Sequence, residues 1–235
     1  YEIPLRLVGS EMCIRDSMTP VILLTDGFLA NGAQPWLIPS MAKLPEIKIR
    51  RAKEGDNYQP YARDPETLAR TWAVPGTKGL EHRIGGLEKM NITGTISYVP
   101  ENHQVMTDLR QEKVARIANY IPQQEVFGNP EGGEVLVVGW GGTYGHLFSA
   151  VKELRKEGKD VSLAHFNYIN PLPKNTQEVL AKFKKILVCE LNLGQFAAYL
   201  RSKYPEFTYQ QYNKVAGLPF TVLEIKEEVN KLMND

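Results

Sequence analysis

The C-terminal part of this sequence predicts an α/β fold: an open, mostly parallel sheet with flanking helices. Two observations carry that prediction. First, strand-length, mainly apolar runs at Val135–Val138, Val161–Phe166 and Ile186–Cys189 lack strict polar alternation, as expected of strands covered on both faces. Second, segments of helical period separate these runs, so strand and helix alternate as in a βαβ unit.

Each element has a local cause. Gly133 to Trp140 reads as a strand and Tyr144 to Glu157 as a helix. That helix buries Leu147, Ala150, Val151 and Leu154 and stops at Gly158. Asp160 to Phe166 is the next strand, and Asn170-Pro-Leu-Pro173 breaks the chain before a helix over Thr176 to Phe183. Ile186 to Glu190 is a third strand, followed by a helix from Phe196 to Tyr204. Phe207 to Lys214 is expected to form a fourth, irregular strand. The last helix is expected from Thr221 to Met233, because Thr221-Val-Leu-Glu224 matches the S/T-x-x-E capping box.

The N-terminal part is less regular. Residues 1–17 show no period, cap or turn chemistry, and Ser10 to Ser17 looks like a cloning or sequencing scar. Pro20 to Asp26 reads as a buried strand, with Asp26 at its carboxyl end as a helix cap. From Pro45 to Pro130 repeated prolines interrupt the pattern, which suggests an ordered, turn-rich excursion. Glu101 to Ile121 is the exception. Val105, Leu109, Ile117, Ala118 and Ile121 recur at helical spacing with Arg110, Lys113 and Arg116 opposite, giving an amphipathic helix.

Composition excludes several classes. At 43% hydrophobic and 23% charged, the chain is globular, and a formal net charge of +1 gives no footprint for nucleic acid. No apolar run approaches the roughly 20 residues that span a bilayer. Cys13 and Cys189 lie far apart, which argues against a disulfide framework and for a reducing cytoplasm. Two thiols also fall short of the ligand set of an iron–sulfur cluster. His82 beside Glu81 and His103 beside Glu101 lack the close ligand pair of a zinc site and read as hydrogen-bonding loop residues.

The sharpest motif is the turn after the first strand, where Gly139, Gly141 and Gly145 give G-x-G-x-x-x-G, with Gly142 and Thr143 between. This is one residue longer than the dinucleotide fingerprint. A dinucleotide site also needs an acid about 20 residues on, at the end of the second strand. That strand ends His165-Phe166-Asn167, which lowers the NAD reading, and the absence of Gly-Lys-Ser/Thr excludes a P-loop. Glu190, Asn192, Gly194 and Gln195, after the third strand, would share the same rim. The nine residues Gly139, Gly141, Gly142, Thr143, Gly145, Glu190, Asn192, Gly194 and Gln195 are the candidate cofactor-binding or interface positions. None is a nucleophile paired with a base, so no catalytic residue and no metal ligand is assigned.

From Pro20 to the C-terminus the sequence resembles the alpha subunit of thiamine-dependent 2-oxoacid:ferredoxin oxidoreductases, especially the 2-oxoglutarate type. The resemblance rests on Leu24 to Ala30, Gly79-Leu-Glu-His82, Glu101-Asn-His103 with Met106, Arg110 and Lys113, Val138 to Thr143, Pro171-Leu-Pro173 and Glu190 to Gln195. It implies that residues 18–45 end a thiamine pyrimidine-binding α/β domain, that 46–132 connect, and that 133–235 form a transketolase C-terminal-like domain. The implied reaction is oxidative decarboxylation of a 2-oxoacid with coenzyme A, giving acyl-CoA and reduced ferredoxin. Thiamine diphosphate and an iron–sulfur cluster are implied mostly outside this chain, the cluster and the diphosphate-binding half in a beta subunit. The family's substrate-contacting Tyr-Pro-Ile-Thr-Pro motif does not occur, so the chain reads as a C-terminal fragment that is structural and inactive alone. A stand-alone α/β nucleotide-binding module and a non-catalytic pairing domain remain the alternatives.

Overall fold

The computed structural model describes residues 18–23, 27–33, 35, 37, 38, 40, 42 and 49–234. They divide into two compact units, one built from the described residues of 1–23 and 34–121, the other from those of 24–33 and 122–235.

The first unit is turn-rich. Its backbone pairs only through isolated bridges among the described residues, such as Tyr61 with Ile92 and Lys89 with Ile96. Lys89 is a buried cation at the centre of one of these turns. Its ammonium donates to the carbonyls of Gly85, Gly86 and Leu87 at 2.9, 2.5 and 2.8 Å. Three donors meet three acceptors, which is how a lysine is buried without a carboxylate. Pro20 to Leu23 form no strand, and Ile22 and Leu23 are exposed. An apolar run becomes a strand only when neighbours complete a sheet, and the described residues of this unit supply none to it. Residues 1–17, with Cys13, and Leu24 to Asp26, with the proposed cap Asp26, lie outside the described residues.

The second unit opens with a single helical turn, α1 (Gly27–Ala30). In the first unit, α2 (Pro100–Arg116) confirms the helix expected there and continues into a 3₁₀ turn at Ile117–Asn119. Its faces differ from the expected ones. Asn102 and Met106 are buried, Val105 is exposed and Lys113 is half-buried. Asn102 explains the difference: its side chain accepts from Asn91 N–H at 2.9 Å and donates to Lys89 carbonyl at 3.0 Å, docking a polar face.

The rest of the second unit alternates as expected: β1 (Gly133–Trp140), α3 (Tyr144–Lys156), β2 (Val161–Phe166), α4 (Thr176–Ala181), β3 (Phe183–Glu190), α5 (Gln195–Lys203), β4 (Tyr209–Asn213) and α6 (Val222–Asn234). The strands form one parallel sheet in the order β2-β1-β3-β4. Val135 and Val137 face one side with Leu147, Val151 and Leu154 of α3 and Ile225 and Val229 of α6. Leu136 and Val138 face the other with Leu180 of α4 and Phe196 and Leu200 of α5. Covering on both faces is why these strands read as continuous apolar runs.

Three local devices fix the ends. After α3, Gly158 (φ 82°) donates to Arg155 carbonyl and Lys159 N–H to Leu154 carbonyl, both at 3.0 Å, a Schellman stop. At α6, Glu224 N–H donates to Thr221 Oγ1 at 3.2 Å and Thr221 N–H to Glu224 Oε2 at 2.7 Å, the reciprocal capping box. Before β1, Phe127 pairs antiparallel with Leu163 of β2, and Asn175 clamps the backbone of Gln124 with bonds of 2.8 and 3.0 Å. The segment from Pro122 is therefore tied to this unit.

Candidate functional site

The strand order places a switch point between β1 and β3. From β1 the chain passes through α3 on one face of the sheet, and from β3 through α5 on the other. The loops leaving these neighbouring strands diverge at their carboxyl ends, the usual ligand position in open α/β sheets. The loop Gly141–Thr143 and the loop Leu191–Gly194 therefore share one rim, as the two candidate motifs require.

Glu190, the last residue of β3, is fully buried, and its carboxylate is completely engaged. Oε1 accepts from Trp140 Nε1 at 3.1 Å, Asn192 Nδ2 at 3.1 Å and Phe196 N–H at 2.8 Å. Oε2 accepts from Ala197 N–H at 3.0 Å. Asn192 Oδ1 takes Gly194 N–H at 2.7 Å and Gln195 N–H at 3.1 Å. The free N–H groups that begin α5 are thus consumed by two side chains of the same loop. A buried carboxylate at a helix N-terminus is favourable on both hydrogen bonding and dipole grounds. It also occupies the position an incoming phosphate would take. Gly194 holds the left-handed turn between these groups (φ 91°), with Gln211 and Asn213 where a side chain would project.

The glycines of the first loop have separate reasons. A Cβ on Gly139 would collide with Leu147 Cδ1 and Thr143 Oγ1, so this glycine lets α3 lie directly on β1. Gly141 adopts φ 61°, which side chains avoid. Thr143 is buried, its hydroxyl donating to Trp140 carbonyl at 2.8 Å and closing the 3₁₀ turn. Gly145 is exposed, and a Cβ there would meet nothing. The outer rim is apolar: Leu193 is 81% exposed and Tyr144 50%, with Gly141, Gly145 and Gln195 exposed beside them.

Other candidate groups stay apart. His103 Nδ1 lies 2.6 Å from Glu88 Oε2, and His82 Nδ1 lies 2.8 Å from Leu80 carbonyl. No group of three or more metal-ligating side chains forms among the described residues. Cys189 is buried inside β3, where burial pushes its thiol pKa up, the reverse of an activated nucleophile. The groups implied by the resemblance do not fit the described residues. At the switch point Glu190 holds the N–H groups a diphosphate would need, and Cys189 is the one described thiol. Trp140 is the site residue that sequence reasoning missed; its place at the end of β1, bonded to Glu190 at the end of β3, is the signal that could have found it.

Fold and switch point define a parallel α/β domain of the open, doubly covered type. Residues 133–227 match the family model for pyruvate:ferredoxin oxidoreductase core domain II. The chain is 50% identical over 207 residues to 2-oxoglutarate oxidoreductase subunit KorA of Mycobacterium tuberculosis, a match covering 88% of this chain and 31% of that protein. It is 30% identical over 223 residues to the alpha subunit of 2-oxoacid:ferredoxin oxidoreductase 1 of Aeropyrum pernix, covering 89% of this chain and 34% of the other. Among solved structures, 2-oxoglutarate:ferredoxin oxidoreductase from Magnetococcus marinus, with 2-oxoglutarate, coenzyme A and succinyl-CoA bound, superposes with a TM-score of 0.75 at 26% identity. That match covers 83% of this chain and 34% of the solved one. The chain is similar to 2-oxoacid:ferredoxin oxidoreductase alpha subunits, and its residues 133–227 carry their core domain II. It spans about a third of the length of these relatives.

Proposed function

We propose that this chain is the C-terminal part of the alpha subunit of a thiamine diphosphate-dependent 2-oxoglutarate:ferredoxin oxidoreductase. The assembled enzyme would decarboxylate the 2-oxoacid oxidatively, transfer the acyl group to coenzyme A and pass the electrons to ferredoxin, in the cytoplasm. The observation that carries this reading is the identity of 50% over 207 residues, which extends well beyond the core domain at 133–227. The chain's own share is structural: it supplies a rim for docking, and thiamine diphosphate and the iron–sulfur cluster are held elsewhere, the cluster in a beta subunit. The engaged carboxylate of Glu190 supports that division, since it removes the phosphate-binding capacity of α5. The apolar exposure of Leu193 and Tyr144 supports the docking role.

The reading is tested by co-expressing the chain with the remaining part of a related alpha subunit and with a beta subunit. The assembly is expected to reduce a viologen dye with 2-oxoglutarate and coenzyme A, while in the chain alone the loops at Gly139–Gly145 and Glu190–Gln195 hold neither NAD nor thiamine diphosphate. No activity from a complete assembly would overturn the substrate assignment. Micromolar NAD binding at those loops, lost on substitution of Gly141 or Gly142, would favour a stand-alone nucleotide-binding module instead.

A further inference from the structure

In the first unit Arg63, Arg70 and Lys113 form a group of cations that no carboxylate among the described residues pairs with. Arg63 and Arg70 both lie over the ring of Tyr61, their guanidinium carbons 5.8 and 4.5 Å from its centroid. Arg63 also reaches α2, donating to Met106 Sδ at 3.4 Å, and Lys113 stands two turns further along that helix.

Among the described residues, the acceptors of these three cations are all neutral. Arg63 donates to Tyr61 carbonyl at 2.9 Å and to Asn91 Oδ1 at 2.6 Å. Arg70 donates to Pro60 carbonyl at 3.3 Å, and Lys113 to Met18 carbonyl at 3.2 Å. Among the described residues, the ion pairs of this unit go instead to Arg50, His103, Arg110 and Arg116, and none joins a carboxylate to Arg63, Arg70 or Lys113. All three are withdrawn from full exposure. Burial and the neighbouring Arg70 lower the pKa of Arg63, and burial with both arginines lowers that of Lys113. Crowded, partly desolvated like charges raise the free energy of the site until an anion joins them.

Space for a ligand adjoins the charges. Arg70 and Met18, whose carbonyl Lys113 holds, form part of the wall of a cleft of about 430 Å³, with Tyr58, Trp72, Val74 and His82. A cleft with Arg70 in its wall, Lys113 bonded to its Met18 edge, and aromatic and aliphatic sides fits a ligand that has a charged head and an organic body.

We propose that Arg63, Arg70 and Lys113 form a binding site for a multiply charged oxyanion, a phosphate or a dicarboxylate, whose organic part enters the adjoining cleft. Arginine forks and a lysine point charge suit either group. This site is independent of the oxidoreductase reading.

The test uses the 235-residue chain in calorimetric titrations at constant ionic strength, with inorganic pyrophosphate in one arm and glutarate in the other. Saturable binding of either probe is expected, and the arm that saturates distinguishes phosphate from dicarboxylate. The double variant R63Q/K113Q is expected to weaken it by about tenfold or more, the scale of losing charge-assisted hydrogen bonds. A second readout needs no variant: the probe that binds should slow phenylglyoxal modification of Arg63 and Arg70, mapped by peptide, while exposed Arg83 reacts unchanged. The proposal is overturned if neither probe saturates, if a folded variant binds as the parent does, if the arginines gain no protection, or if only an acidic peptide binds.

Discussion

The indole N–H of Trp140 donates to the Glu190 carboxylate across 3.1 Å, joining the ends of two adjacent parallel strands at the point where their helices diverge. The same carboxylate begins α5 by accepting from Phe196 and Ala197. One side chain therefore holds two loops and a helix start in a fixed relation.

Replacing it should be expensive. Glu190→Ala leaves the Trp140 indole and two α5 amides without their acceptor in a buried setting. A loss of about 3 kcal/mol is expected from unsatisfied buried donors. Trp140→Phe removes one bond and leaves an acceptor with three other donors, so about 1 kcal/mol is expected. Chemical denaturation of both variants checks the order. Equal losses would show that the carboxylate is not the shared element.

The loop glycines should separate by cause. Gly139→Ala drives a methyl into Leu147 and Thr143 and should cost about 1–3 kcal/mol, the scale of overpacking. Gly145→Ala meets open space within α3 and should leave thermal stability unchanged or raise it by up to about 1 kcal/mol. Substitutions of Gly141 and Gly142 by Ala address the docking role. Impaired assembly with ligand affinity unchanged in the surviving complex supports an interface, whereas selective loss of ligand affinity restores the phosphate cradle.

Acid should loosen the last helix. The Lys214 ammonium, at 2.8 Å, and the Thr221 N–H hold the Glu224 carboxyl at about 2, below its ordinary 4.5. A carboxylate depressed in the folded state stabilises above its unfolded pKa, and that contribution fades as pH falls from about 4.5 towards 2. The Glu224→Gln variant should therefore show a shallower fall in melting temperature across that window. Parallel curves for parent and variant would remove the capping box from the acid response.

Cys189 should resist modification. Burial raises its thiol pKa and shields it from reagent, so peptide-mapped alkylation at neutral pH should leave it intact until denaturant unfolds the second unit. Rapid native-state labelling would contradict the packing of β3.

The sequence made β1, β2 and the Thr221–Glu224 cap legible because each is local: short, mainly apolar runs and a four-residue box need no distant partner. β3 starts earlier than its apolar run suggests. Lys184 and Lys185 interrupt the pattern, but Lys184 pairs with Glu134 on the neighbouring strand at 2.7 Å and Lys185 reaches Leu232 carbonyl at the same distance. Those partners are distant in the chain and invisible to periodicity. Lys113 was misplaced on the open side of its helix for a related reason, since the docked face of α2 is built on Asn102 rather than on an apolar stripe. At the switch point the residue types were legible, whereas the role of Glu190 was not. Its helix starts five positions later, outside the spacing that marks a cap.

The pairing of Phe127 with Leu163 has a consequence for how this polypeptide is handled. β2 is the outermost strand on its side, and Phe127 exchanges backbone hydrogen bonds of 2.9 Å in both directions with Leu163. Cutting the chain at Gly133 would strip that cover and expose an apolar strand border able to recruit further copies. The trimmed domain should therefore precipitate, and a boundary at Pro122 should keep it dispersed.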